Sequence, residues 1–131
     1  HRAPEAFAAA RATVHVPRAP YVRALPGIPT IRMFEALACG IPIVSAPWSD
    51  LDGLFPEDTY LKANNGEQML IALKTLLRDP ELAHTTARQG LRVIAERHTC
   101  RHRALQLLDI VESIGGPRRR TTRSQQEGAL A

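Results

Sequence analysis

The sequence predicts an α/β fold, a parallel sheet flanked by helices, of which this chain holds only part. Strand-like and helix-like segments alternate along the chain, as they do in proteins with parallel sheets. The run "IPIVSA" at 41–46 is apolar and rich in β-branched residues, as in a strand buried on both faces. About three strands are visible, fewer than the roughly six of a doubly wound sheet, so we expect the back half of a larger domain.

The first half of the chain contains short elements. Residues 5–11 are compatible with a helix and residues 12–16 with a strand. The prolines and the glycine of 17–29 predict a long ordered loop without regular structure, and long loops in compact domains are usually functional or disordered. Thr30 as N-cap and Gly40 as the stop then define a helix of about two to three turns.

The segments after residue 46 predict a single helical turn at "DLDGLF", a short strand at "TYLKA" (59–63), and then three helices. The first helix begins at a capping box formed by Asn65 and Gln68. The second begins at Asp79, with Pro80 at the first helical position. Thr99 is the predicted cap of the third.

The third helix should end at Gly115-Gly116-Pro117, which separates a domain at 1–116 from a tail at 117–131. The tail has no apolar period, and we expect it to be disordered. It carries four Arg and one Glu, which is +3 of the formal net charge of +4. The remaining body is nearly neutral, so the charge gives little support for a nucleic-acid partner. Contact between the basic tail and an anionic membrane surface stays open as a minority interpretation.

The two cysteines, Cys39 and Cys100, lack the spacing of a disulfide framework, which favours a reducing, cytoplasmic compartment. No apolar run approaches the roughly 18 residues of a membrane-spanning helix, and "AFAAA" is too short for the core of a signal peptide. Because the sequence begins with His1 rather than Met, we expect a piece of a longer chain.

The segment from 17 to 35 predicts an anion site. A strand leads through the Gly/Pro-rich connection to the N-terminus of a capped helix, where parallel sheets bind ligands. Free N–H groups in the first turn, from Thr30 to Met33, and the positive end of the helix dipole suit a phosphate or diphosphate. The remaining contributors are a glycine for close approach, a proline that stiffens the entry, and three arginines: Gly27, Pro29, Arg18, Arg23 and Arg32.

Glu35 is the single acid of "LPGIPTIRMFEALACGIPIVSAP". It lies about one and a half turns into the helix, where its carboxylate can accept hydrogen bonds from two vicinal hydroxyls of a nucleotide ribose. The alternative is an ordinary surface glutamate or an ion pair with Arg32 on the same helix.

The segment "IPTIRMFEALACGIPIVSAPW" resembles the C-terminal signature of GT-B-type, nucleotide-sugar-dependent glycosyltransferases, in particular the bacterial branch similar to spore-maturation-protein-like enzymes. The resemblance continues through "TYLKANNGEQM", "LLRDPEL" and "GLRVIAERHTCRHRALQLL", and covers roughly residues 12–112. It implies a Rossmann-like, donor-binding domain in which Glu35 contacts the ribose and the 27–32 loop holds the diphosphate. The implied partners are a nucleotide-diphosphate sugar and a missing N-terminal acceptor domain, with no metal or cofactor.

The chain departs from this resemblance at one position. Many retaining members of the wider group carry a second Glu eight positions before the first, where this chain has Gly27. The sequence therefore leaves open a second hypothesis, a non-catalytic nucleotide-binding or interaction module. A nucleic-acid binder, which would rest only on the arginine tail, is a third.

Two histidine patterns have structural explanations that we weighed against functional ones. His98, Cys100 and His102 suggest a metal site, but their spacing does not place three ligands on one face, and capping or packing roles are favoured. His15 lies in a predicted strand beside the 17–29 loop, where a hydrogen-bonded structural role is favoured over a catalytic one.

Overall fold

The computed structural model describes residues 2–115, and the chain divides into two compact units between Thr99 and Cys100. The predicted tail at 117–131 lies outside the described residues, so its disorder stays a prediction. The helices and strands in chain order are α1 (Ala3–Ala8), β1 (Thr13–His15), α2 (Ala19–Ala24), α3 (Ile31–Ala38), β2 (Ile43–Ser45), β3 (Leu61–Lys62), α4 (Gly66–Arg78), α5 (Pro80–Arg97) and α6 (Cys100–Gly115).

The first unit contains a parallel sheet with the strand order β1-β2-β3. Its middle strand, β2, is buried along its whole length, as the apolar run predicts. Successive β2 residues serve two cores on opposite faces of the sheet: Ile43 packs with α3 and α5 residues, and Val44 packs with α4 residues. The partial, Rossmann-like α/β fold with flanking helices is therefore confirmed.

Capping explains where α4 and α5 begin. The Asn65 side chain accepts the Gln68 backbone N–H at 2.9 Å, and the Gln68 side chain accepts the Asn64 backbone N–H at 2.8 Å. The predicted cap at Asn65 is therefore confirmed. The second half of the predicted capping box differs, because Gln68 accepts the N–H of Asn64, one residue before the cap, instead of the N–H of Asn65 itself. The Asp79 carboxylate accepts the Leu82 N–H at 2.9 Å, so the prediction for α5 is also confirmed.

Two local predictions are wrong. The 17–29 segment is not free of regular structure, because α2 occupies Ala19–Ala24 with Pro20 in its first turn. A proline there loses no hydrogen bond, since the first N–H groups of a helix have no internal partner. The "DLDGLF" segment forms a loop instead of a helical turn, because the Asp50 carboxylate accepts the N–H groups of Leu54 and Phe55, both at 2.8 Å.

The second unit is described only through α6. The predicted end of this helix at Gly115-Gly116-Pro117 reaches beyond the described residues and stays a prediction. None of the helices among residues 2–115 is long and apolar enough to cross a membrane.

Candidate functional site

A cavity of about 560 Å³ opens beyond the carboxyl end of β1, between the chain that leaves this strand and the first turns of α3. This is the place where parallel sheets usually bind ligands. Its walls come from the end of β1, from the segment leading into α2, and from α3: Val14, His15, Val16, Pro17, Arg18, Tyr21, Thr30, Ile31, Arg32 and Glu35. The cavity therefore combines two guanidinium groups with a single carboxylate.

The N-terminus of α3 supplies backbone donors to this cavity. Thr30 is the N-cap residue in extended conformation, and its side chain makes no capping hydrogen bond. The Met33 N–H donates to the Thr30 carbonyl at 3.1 Å, so the expectation that the Met33 amide is free is wrong. No hydrogen bond from the Ile31 or Arg32 amides is present among the described backbone groups outside regular elements. The same is true of the Thr30 amide, so three of the four predicted amides remain as donors for an anion.

Gly27 and Pro29 do not line the cavity. Both are buried, and Gly27 has a φ of +85°. A Cβ built at Gly27 would lie 3.2 Å from the Leu51 side chain. The glycine is therefore required by the turn that leads into α3.

Glu35 is half-buried and lines the cavity. Among residues 2–115, its carboxylate has no cation within ion-pair distance, so the alternative pairing with Arg32 does not form. Arg18 and Arg32 likewise lack a carboxylate partner among the described residues. Arg23, which was expected to add charge, lies in the last turn of α2 and does not line the cavity.

His15 closes one side of the cavity with a hydrogen-bonded network that ties β1 to β2. Its side chain is 1% exposed, and its Nδ1 lies 2.9 Å from Ser45 Oγ. Ser45 Oγ donates its single proton to the Ala46 carbonyl at 2.8 Å, which assigns the imidazole proton to Nδ1. Burial lowers the pKa of His15, and the positive charge of Arg32 lowers it further. His15 is therefore a neutral residue whose Nε2 has no hydrogen-bond partner among the described residues.

The chain matches the family model described as glycosyl transferase-like over residues 1–109. It belongs to this glycosyl transferase-like family. No curated protein and no solved structure matches the chain.

In this glycosyl transferase-like chain, five of the nine residues that the sequence predicts for the site line one cavity: Arg18, Thr30, Ile31, Arg32 and Glu35. Tyr21 also forms part of the wall, which the sequence does not predict because its pattern gives no sign of α2. The sequence also gives no role to the contact between His15 and Ser45, which depends on the strand register that sets these residues side by side.

Of the histidines and the cysteine at 98–102, His98 has the packing role favoured by the sequence. His98 Nε2 donates to the Leu54 carbonyl at 2.8 Å, and its ring packs against Phe34 and Phe55. Among residues 2–115, no group of three His, Cys, Asp or Glu side chains is placed to hold a metal ion.

Proposed function

We propose that this chain is the donor-binding domain of a GT-B-type glycosyltransferase and that the α3 cavity holds the diphosphate of a nucleotide sugar. The observation that carries the proposal is the convergence of Arg18, Arg32 and the first amides of α3 on one cavity that also contains Glu35. Membership in the glycosyl transferase-like family supports the same assignment. The spore-maturation-like branch and a cytoplasmic location belong to this proposal, and the free thiols of Cys39 and Cys100 agree with a reducing compartment.

The proposed task of the cavity is to stabilise the leaving group. When the bond between the sugar and the diphosphate breaks, negative charge grows on the phosphate oxygens. Preoriented N–H groups of Ile31 and Arg32 and the guanidinium groups meet this charge without reorganisation. A metal ion is not needed for this step in the proposed mechanism, because fixed positive charges of the chain take its place.

Glu35 is proposed to orient the nucleotide. An ionised carboxylate is an acceptor only, so it selects for ligand groups that donate, such as the two hydroxyls of a ribose. It stands one turn beyond the amides that hold the diphosphate, so ribose and phosphate are bound by neighbouring parts of α3.

The donor sugar is proposed to be held by residues other than that at position 27. A glutamate in place of Gly27 would have to adopt a φ of +85° and make room against Leu51. A side chain there is strained, so the second carboxylate of many retaining enzymes has no room in this turn.

The acceptor is proposed to be held by a further, N-terminal domain. Positioning an acceptor within attack distance of the sugar can contribute about 7–11 kcal/mol to lowering the barrier. The cavity walls described above bind a donor on one side only. We therefore expect this chain alone to bind nucleotide weakly and to transfer no sugar. Sugar transfer by this chain at the rate of a longer parent would contradict the proposal.

Titration calorimetry with UDP, GDP and uridine tests the proposal. We expect a diphosphate to bind more tightly than uridine, and Glu35→Ala to weaken the binding about tenfold or more, since hydrogen bonds to charged groups contribute about 1.5–3 kcal/mol. Glu57→Ala, which removes an exposed carboxylate outside the cavity, is the matched control. Equal affinities of wild type and Glu35→Ala for both nucleotides, in this chain and in a longer parent, would refute the assignment.

A non-catalytic nucleotide-binding module is the second candidate, and Gly27 favours it because the second carboxylate is missing. Turnover of a nucleotide sugar distinguishes the glycosyltransferase from the non-catalytic module. A longer parent that binds nucleotide but releases none from any nucleotide sugar, with or without acceptors, would establish the module.

A further inference from the structure

A second cavity, of about 650 Å³, lies beside α5 and β3 and shares no lining residue with the first. Its volume is in the range of small-molecule sites, about 300–1,000 Å³. Leu61 of β3 and Leu82 of α5 form its apolar part, and the remaining walls are polar.

The polar wall is one regular stripe of α5. Thr85, Arg88, Gln89 and Arg92 follow the i, i+3, i+4, i+7 spacing that places side chains on the same face of a helix. The neighbouring face of α5 carries Thr86, Gly90 and Val93, which are buried. The stripe thus lies next to the core-packing face, and both of its arginines are exposed to solvent.

The two arginines of the stripe are available for a ligand. Among residues 2–115, neither guanidinium has a carboxylate within ion-pair distance. Arg92 Nη2 donates to Gln89 Oε1 at 2.6 Å, which fixes the orientation of this guanidinium. The other N–H groups of the guanidinium do not bond to Gln89. Two guanidinium groups one helical turn apart match the oxygens of a phosphate, which arginine binds with parallel hydrogen bonds.

An acceptor, Asp58, also lines the cavity. Its φ of +68° is uncommon for a residue other than glycine. The turn that contains it is held by Thr59, whose N–H and hydroxyl both donate to the Pro56 carbonyl, at 3.3 and 2.7 Å. A carboxylate and two arginines that line the same cavity without forming an ion pair fit a ligand that carries both hydroxyl groups and a phosphate.

We propose that this second cavity binds a phosphorylated polyol, such as a sugar phosphate or the headgroup of a phosphorylated inositol lipid. Arg88 and Arg92 bind the phosphate, Asp58 accepts hydrogen bonds from the hydroxyls, and Leu61 and Leu82 pack against the carbon skeleton. The proposal does not depend on the function of the α3 cavity.

Calorimetry on the 131-residue chain with glucose 6-phosphate, inorganic phosphate and glucose tests this proposal. We expect glucose 6-phosphate to bind most tightly of the three, and Arg88→Gln and Arg92→Gln each to weaken its binding about tenfold, the effect of losing a charge-assisted hydrogen bond. Asp58→Asn, in which asparagine tolerates the same backbone conformation, should weaken glucose 6-phosphate binding and leave inorganic phosphate binding unchanged.

Two arginines outside the second cavity serve as controls. Arg78→Gln removes an exposed charge from α4, and Arg32→Gln removes one from the α3 cavity; both should leave glucose 6-phosphate binding within twofold of wild type. Loss through Arg32→Gln would instead place the sugar phosphate in the α3 cavity and overturn the proposal. Thermal unfolding of each variant shows whether a loss of binding reflects a loss of folding.

Vesicles of phosphatidylcholine with and without phosphatidylinositol 4-phosphate distinguish the two sources of the ligand. Vesicle binding that requires both Arg88 and Arg92 supports a lipid headgroup, and binding of glucose 6-phosphate alone supports a soluble ligand. The proposal is refuted by two results: no arginine-dependent binding of either probe, or inorganic phosphate binding as tightly as glucose 6-phosphate.

Discussion

The contact between α5 and α3 at Gly90 sets the position of the helix that carries Glu35, and adding one methyl group to Gly90 tests it. A Cβ at Gly90 would lie 2.5 Å from Leu37 Cδ2 and 3.6 Å from the Thr59 carbonyl oxygen. Carbon atoms pack at about 3.5–4.0 Å, so the two helices must separate locally by about 1 Å. Leu37 is 1% exposed and cannot turn into solvent to relieve the contact.

The expected cost follows from two opposing terms. Overpacking a core costs about 1–3 kcal/mol, and the upper half of this range applies because Leu37 is enclosed. Replacing glycine by alanine inside a helix stabilises the folded state by about 1 kcal/mol. Gly90→Ala should therefore lower the free energy of unfolding by about 1–2 kcal/mol.

Urea unfolding followed by far-UV circular dichroism measures this difference. Gly66→Ala is the matched control, because a Cβ at Gly66 meets nothing within 4 Å, and this variant should be as stable as wild type or slightly more stable. If Gly90→Ala were as stable as Gly66→Ala, the close approach of α5 to α3 would be wrong.

Three further changes test other parts of the account. Asp50→Ala should lower the free energy of unfolding by about 2 kcal/mol, since the Asp50 carboxylate accepts hydrogen bonds from two backbone amides of the loop after β2. Urea unfolding measures this loss, and an unchanged midpoint would contradict the prediction. Asn65→Ala should lower the free energy of unfolding by about 1 kcal/mol through loss of the α4 cap. Asn64→Ala should lower it less, because Asn64 contributes only its backbone N–H, which alanine retains; equal losses in the two variants, measured by urea unfolding, would argue against the cap. The folded pKa of His15 lies below its ordinary 6.5, so the unfolded chain takes up the proton more readily. The contribution of neutral His15 to the free energy of unfolding is thus fully present above about pH 6.5. It decreases as the pH falls below this value and stops decreasing only below the folded pKa. Melting temperatures between pH 8 and 5 should show this loss in wild type and less of it in His15→Asn, and parallel profiles would show that His15 does not contribute.

The sequence was sufficient where one local signal decides the structure. The apolar run of β2, the N-cap at Asn65 and the cap at Asp79 are each set by a few neighbouring residues, and the sequence predicts all three correctly. The prediction failed at α2 because prolines were counted as breakers throughout, although a proline in the first turn is compatible with a helix.

The candidate site was only partly predictable for a different reason. Thr30, Arg32 and Glu35 share one short helix, so local spacing alone brings them together. The contact of His15 with Ser45 and the packing of Leu51 on Gly27 join residues that are distant in sequence. Such contacts depend on strand register and loop packing, which a single sequence does not specify.

The most direct test of the proposed donor site is to map the bound nucleotide onto the chain by NMR. Titration of UDP into ¹⁵N-labelled protein should shift the backbone amide signals of Ile31 and Arg32 and leave those of Arg88 and Arg92 in place. Shifts centred on α5, or no shifts in the first turn of α3 at saturating UDP, would contradict the account.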